Sequence, residues 1–349
     1  MVLAPMADVT DAAFRRMVAK YSAHERLDGS VGGPDVMWTE FVAADGLMRA
    51  TPEGKEKLME DLKYSEEERP IVAQLFSSNE EYMEKAVRLC VELGFDGVDI
   101  NMGCPDKSIE KQGCGSAMIK NPENARAIIC AAKRGAGEIP ISVKTRLGYN
   151  QDILEEWLPA ILSESPAAVT IHARTRKDMS KVPARWERVA RAVEIRDALG
   201  SGSLIIGNGD ALSLEDAHQK IAETGVDGVM FGRAIFGNPW FFHPTKRLPT
   251  RLAALPTKGV NRENIIIHDT DQEGIEYVTL SERLRVLVEH TTLFEELLPH
   301  KNFAVMKKHY KAYCNGFDGA KELRISLMET SNSVEVRGII TAFLSRTRS

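Results

Sequence analysis

Residues 99–106 read Asp-Ile-Asn-Met-Gly-Cys-Pro-Asp, where an apolar strand stops abruptly and delivers an amide, Asn101, and a thiol, Cys104. Gly103 and Pro105 punctuate a turn, which puts Cys104 at the carboxyl end of a strand and not inside a helix. A thiol so placed can reach a ligand, and the plain alternative is a small buried hydrophobe. A second glycine-rich turn, Gly113-Cys-Gly-Ser116, lets backbone come close to something bound.

Reactive or polar groups recur at the same end of other apolar runs. Pro5-Met6-Ala7 follows the first, Gln74 the third, Lys144 the fifth and His172 the sixth. The seventh ends in Gly207-Asn208-Gly209-Asp210 and the eighth in Gly232-Arg233, where a helix is expected to begin. The last two loops suggest a phosphate held by free backbone N–H groups, a helix dipole and Arg233, the alternative being tight turns with no ligand. Lys144 beside Gln, Asn and His fits an aromatic, hydrogen-bonding cofactor that develops negative charge on reduction. Flavin mononucleotide (FMN) matches: a lysine ammonium stabilises the N1/O2 edge of the reduced ring, and Gln74 can pair with the pyrimidine edge. No GxGxxG follows an early strand, which disfavours a Rossmann-bound dinucleotide. His172 taken alone reads equally as a structural histidine.

Eight short apolar runs position these groups, at 2–4, 36–39, 71–75, 97–100, 141–144, 168–172, 204–208 and 228–231. Helical patterns fall between and after them at 11–20, 41–50, 79–93, 122–135, 151–163, 186–199, 214–223 and 233–242. Strand and helix alternating eight times predict a (β/α)8 TIM barrel, with a doubly wound open sheet as the alternative. The barrel domain is expected over 1–245, with a glycine-rich loop at 22–34. A linker or insert carrying the triplet Ile265-Ile-Ile267 is expected over 246–280, and a smaller α-helical domain over 281–349.

Hydrophobic residues at 43% and charged residues at 27% suit a globular protein, and no apolar run approaches the roughly 20 residues of a membrane span. Without a basic leader and cleavage site, a cytoplasmic protein with no membrane partner is expected. Five cysteines with no CxxC pair argue against a disulfide framework or a metal site. The net charge of −5 speaks against nucleic acid, yet residues 282–349 hold 11 Lys+Arg against 8 Asp+Glu. That stretch is locally basic, or an ordinary solvated surface.

The motifs resemble the tRNA-dihydrouridine synthases, particularly their bacterial-type branch. The resemblance rests on Ala4-Pro-Met-Ala-Asp-Val-Thr-Asp-Ala-Ala-Phe-Arg15, Gln74-Leu-Phe76, Asn101-Met-Gly-Cys-Pro105, Gly113-Cys-Gly-Ser116 and Val143-Lys-Thr-Arg-Leu-Gly148. It continues through His172-Ala-Arg-Thr-Arg176, Gly207-Asn-Gly-Asp210, Gly232-Arg-Ala234, Gly237-Asn-Pro-Trp240, Met306-Lys-Lys-His309 and Gly319-Ala-Lys-Glu-Leu-Arg324. It implies an FMN site at Pro5, Met6, Ala7, Gln74, Lys144, His172, Asn208, Gly209, Asp210, Gly232 and Arg233. It also implies a catalytic Cys104, with NADPH as reductant and tRNA as substrate. The chemistry implied is hydride transfer from flavin N5 to uracil C6 while Cys104 protonates C5, with Asn101 holding the base. A thiol with the ordinary pKa of about 8.5 is mostly protonated near neutrality, as that role needs. A base must also leave the folded RNA, which calls for a surface that grips its backbone. Arg174 and Arg176 near the mouth, and Lys301, Lys307, Lys308, Lys311, Lys321 and Arg324 on the basic helices, are the candidates. A monomer is expected.

The chain departs from the family pattern in starting inside strand one, in Ala173 where glycine is usual, in Cys114 where alanine is usual, and in its two long inserts. Two other functions stay open: an RNA-binding or RNA-folding protein on the same scaffold without turnover, and an FMN barrel reducing a free small molecule. Cys104 and Lys144 weigh against the first, and the basic C-terminal helices against the second.

Overall fold

The computed structural model describes residues 1–26, 29–249 and 274–347, so most of the expected linker, including Ile265 to Ile267, lies outside the described residues. Eight parallel strands form one sheet: β1 (Val2–Leu3), β2 (Met37–Ala43), β3 (Ile71–Phe76), β4 (Gly97–Asn101), β5 (Ile141–Arg146), β6 (Ala168–His172), β7 (Leu204–Asn208) and β8 (Gly228–Phe231). The hydrogen-bonded order runs β1-β8-β7-β6-β5-β4-β3-β2. A parallel bridge from Val2 to Val36 and the bond from Leu3 N to Val36 O (3.1 Å) join the two ends. The sheet is therefore the expected (β/α)8 barrel and not an open sheet. Its strands read as continuous apolar runs because both faces are covered: Ile71, Val98, Ile100, Val143, Val169, Ile171 and Val229 are all buried.

The chain divides into two compact units, one made of 1–11 and 34–234, the other of 12–33 and 235–349. In the first, helices follow the strands, among them α4 (Glu80–Glu92), α6 (Pro122–Ala136), α7 (Leu154–Leu162), α8 (Trp186–Ala198) and α9 (Leu214–Thr224), and α2 (Ala44–Arg49), α3 (Pro52–Asp61) and the short α5 (Lys107–Glu110) fill in. Their starts obey local chemistry. Asn79, Asn121 and Ser213 accept from the backbone N–H three residues on, and Pro122 opens α6.

The second unit is helical. It holds α1 (Ala12–Ser22), α10 (Leu280–Leu297), α11 (Met306–Tyr313), α12 (Ala320–Met328) and α13 (Ser333–Thr347) around a core that includes Met17, Trp240, Leu287, Phe294, Tyr310 and Leu327. Within the loop expected at 22–34, His24–Glu25 and Val31–Gly32 pair as a short antiparallel hairpin. Correction is needed at 233–242. No α-helix forms there; a 3-10 turn, Arg233–Ile235, is followed by Trp240 and Phe242 buried as core residues. Their apolar spacing imitates a helix face but serves irregular backbone.

Candidate active site

A cavity of about 700 Å³ opens at the carboxyl ends of the strands, within the range of roughly 300–1,000 Å³ usual for ligand pockets. Its wall includes Pro5, Met6, Ala7, Gln74, Asn101, Cys104, Lys144, His172, Arg174, Asn208, Gly209, Asp210, Gly232 and Arg233. All eleven residues expected around FMN thus share one cavity with Cys104 and Asn101.

Strand register explains the gathering. Gln74, Asp99 and Ser142 lie level on β3, β4 and β5, Asn101 lies level with Lys144, and Arg146, His172 and Asn208 form a third row. Because side chains alternate along a strand, Asp99 and Asn101 share a face, as do Lys144 and Arg146. The lower row is tied by hydrogen bonds. Ser142 Oγ donates to Asp99 Oδ1 (2.6 Å), Gln74 Nε2 donates to Asp99 Oδ2 (2.7 Å), and Asn101 Nδ2 donates to Gln74 Oε1 (3.1 Å).

The thiol turn is held from both sides. Asn101 Oδ1 accepts the backbone N–H groups of Gly103 (3.1 Å) and Cys104 (2.9 Å), and Arg146 Nε donates to Gly103 O (2.8 Å). Behind it, Ser116 N donates to Cys104 O (2.9 Å). Gly115 has φ +59°, and a Cβ there would stand 2.7 Å from Cys104 O. The second glycine turn therefore supports the Cys104 backbone from behind, and what comes close to it is that carbonyl and not a ligand. Half-buried Cys104 has its pKa raised by desolvation, which outweighs the lowering influence of Arg146 and Lys144. It is a protonated thiol near neutrality.

Lys144 is half-buried and pushed down to about 8, first by desolvation and then by Arg146. Its Nζ donates to Asn208 Oδ1 (3.2 Å), and Asn208 Nδ2 donates to Met230 O (2.8 Å). Burial, with Arg146, Lys144, Arg174 and Arg233 nearby, holds His172 well below the usual imidazole range, so the ring is neutral. Arg174 Nη1 lies 3.2 Å from His172 Nε2. Arginine only donates, so Nε2 is the acceptor and Nδ1 carries the proton.

At the far end Asp210 accepts from Arg174, from Arg233 Nη2 (2.9 Å) and from Ala184 N (2.9 Å). Gly209 stands at φ +121°, where a side chain is strained, and a Cβ there would crowd that of Ala184 at 3.0 Å. The Arg233 side chain is 64% exposed. Since only one 3-10 turn follows Gly232, the helix dipole expected there shrinks to a single turn, and the positive charge comes from Arg174 and Arg233 instead.

Several expected residues stand elsewhere. Arg174 is 2% exposed and internally committed, with Nε donating to Val182 O (2.6 Å), which makes it a wall residue and not an exposed backbone grip. Arg176 is outside the cavity wall, paired with Glu110 and lying over the Tyr149 ring at 5.2 Å. In the helical unit Lys307 is half-buried and Lys308 exposed on α11, while Arg324 Nη1 donates to Cys314 O (2.6 Å) and ties α12 to the end of α11. The cavity wall also includes residues that the sequence reading did not single out: Phe41, Arg146, Ser180 and Leu212. Strands β2 and β5 run farther than read, and the two-residue period from Lys144 was the signal that marks Arg146.

Comparison with known proteins identifies the family. The family model described as dihydrouridine synthase (Dus) matches residues 2–347. A Bacillus subtilis (strain 168) protein named probable tRNA-dihydrouridine synthase 2 is 37% identical over 343 residues, covering 98% of this chain and 93% of the relative. A Staphylococcus aureus (strain MRSA252) protein named probable tRNA-dihydrouridine synthase is 35% identical over 346 residues, covering 98% and 92%. With a model match over nearly its whole length and relatives of this similarity, the chain belongs to the dihydrouridine synthase family.

Proposed function

We propose that this protein reduces uridine in tRNA to 5,6-dihydrouridine, with FMN as resident cofactor and NADPH as reductant. The observation that carries the reading is a protonated Cys104 set on the wall of the same cavity as Lys144, Gln74 and the Arg174–Asp210–Arg233 cluster. The donor set fits FMN: Lys144 and neutral His172 can donate to the ring edge, Gln74 offers an amide, and the two arginines suit a phosphate. When bound, FMN supplies the hydride that adds to C6 of uracil.

Cys104 supplies the matching proton. Its S–H bond breaks as a C–H bond forms at C5, and the thiolate left behind faces Arg146 and Lys144, whose charges stabilise it until water returns a proton. Asn101 has two amide hydrogens, of which one goes to Gln74, so the other can donate to a uracil carbonyl. The half-buried Lys144 with the buried Arg146 and Arg174 favours an electron-rich guest. Lys307 and Lys308 on α11 supply cationic surface for the RNA backbone, with Lys301, Lys311 and Lys321 on the same unit.

The test is direct. The purified protein should show a flavin spectrum and, with NADPH and unmodified tRNA, give a two-hydrogen mass gain at uridine. Absence of both flavin and mass gain would sink the reading.

A further inference from the structure

Asp99 is 0% exposed and stands one row below Asn101, outside the cavity wall. Its carboxylate accepts from Ser142 Oγ at 2.6 Å and Gln74 Nε2 at 2.7 Å; burial raises its pKa to about 6, while these two donors and Lys144 favour the ionised form, which prevails at neutral pH. An ionised carboxylate only accepts, so the Gln74 atom facing it is the nitrogen. That turns Gln74 Oε1 toward Asn101, which must then present its nitrogen and direct Oδ1 the other way. The far end of the chain imposes the same sense independently, because the backbone N–H groups of Gly103 and Cys104 only donate and require that oxygen. Both ends agree on one polarity, running from Asp99 through two amides to the turn that carries the thiol.

We propose that Asp99 is a positioning residue that sets the amide orientation of Gln74 and, through Asn101, the presentation of Cys104. Without a fixed acceptor below it, Gln74 can present either end to Asn101, and each reversal leaves a mismatched contact that loosens the Cys104 turn. The proposal deepens the proposed function and rests on it only for flavin affinity, since thiol presentation can be read without any cofactor.

The experiment uses the full chain with Asp99→Asn, Gln74→Leu and the double variant. Alkylation of Cys104 by iodoacetamide, followed by peptide mass spectrometry on apoprotein, reports thiol presentation, and titration with FMN reports the amide edge. Asp99→Asn should change the Cys104 alkylation rate and weaken FMN binding, each by about tenfold, as for residues coupled in one network. In the Gln74→Leu background the same substitution should have no further effect, because its route is cut. Parent-like alkylation and FMN affinity in Asp99→Asn, or effects that multiply in the double variant as independent packing defects do, would overturn the proposal. Should Asp99→Asn fail to fold, Gln74→Leu alone must still shift Cys104 alkylation, and an unchanged rate overturns it. A parent protein that binds no FMN refutes the cavity reading, and alkylation then decides this one.

Discussion

At the scale of single residues, the proposed reaction needs two groups protonated, and burial favours that form in one and opposes it in the other. As the proposed proton donor Cys104 must keep its proton, and burial raises its pKa against two neighbouring cations. Replacing it by alanine should leave the flavin spectrum and its reduction by NADPH intact while lowering uridine turnover at least about 100-fold, the range typical of a lost general acid. Rapid-mixing absorbance and tRNA mass analysis separate the two steps. Lys144 must hold its charge in a site that resists it, and its folded pKa of about 8 lies below the ordinary value. Below about 8 the folded apoprotein carries a partly desolvated ammonium at a cost. Above it the unfolded chain binds more protons than the folded one, so stability from this group rises with pH until the ordinary lysine range. Lys144→Met should therefore bind FMN poorly, yet its apoprotein should gain most in melting temperature near neutrality, with the gain shrinking as pH rises through about 8. A gap constant with pH, measured by thermal unfolding, would show that Lys144 is not strained.

At the scale of elements, the site depends on how a turn is buttressed. Gly115 holds a positive φ and its Cβ position is filled by Cys104 O. Gly115→Ala should cost about 1–3 kcal/mol through left-handed strain and the displaced carbonyl. It should also alter Cys104 alkylation, whereas Gly137→Ala, at φ +61° with open space around its Cβ, should cost only the strain and leave Cys104 unchanged. Denaturant titration of both variants checks the difference. The rows across β3 to β7 follow from parallel pairing, which sets Gln74 beside Asp99 and Asn101 beside Lys144 whatever the loops do.

At the scale of the molecule, the proposed function assigns cofactor chemistry and RNA binding to different compact units. The barrel unit holds the complete cavity wall, and the helical unit carries the exposed lysines of α11. Reversing charge at Lys307 and Lys308 together should raise KM for tRNA and flatten the salt dependence of binding by about two counterions, without changing flavin content. Binding assays across a salt series check this. Arg324→Ala should behave differently, lowering the stability of the helical unit because the bond to Cys314 O is lost.

The sequence by itself determined the eight strands and most helices, since strands buried on both faces must be apolar throughout and helix starts need caps within three residues. It also determined which residues gather at the site, because a parallel barrel brings every strand's carboxyl end to one mouth. Tertiary structure alone decided what those residues face. Arg174 looked like a surface cation, but Val182 O, His172 and Asp210 turn it inward; Gly113 to Ser116 looked like a ligand loop and instead backs the thiol. Arg146 lay beyond the end read for its strand, and Asp99, inside its strand, gave no sign of the partners it meets on the neighbouring strands. Residues 233–242 had a helix's apolar spacing but spend it on core contacts of irregular backbone. Composition and period record which residues must leave water, whereas the partner that each polar group finds there depends on neighbours far away in the chain.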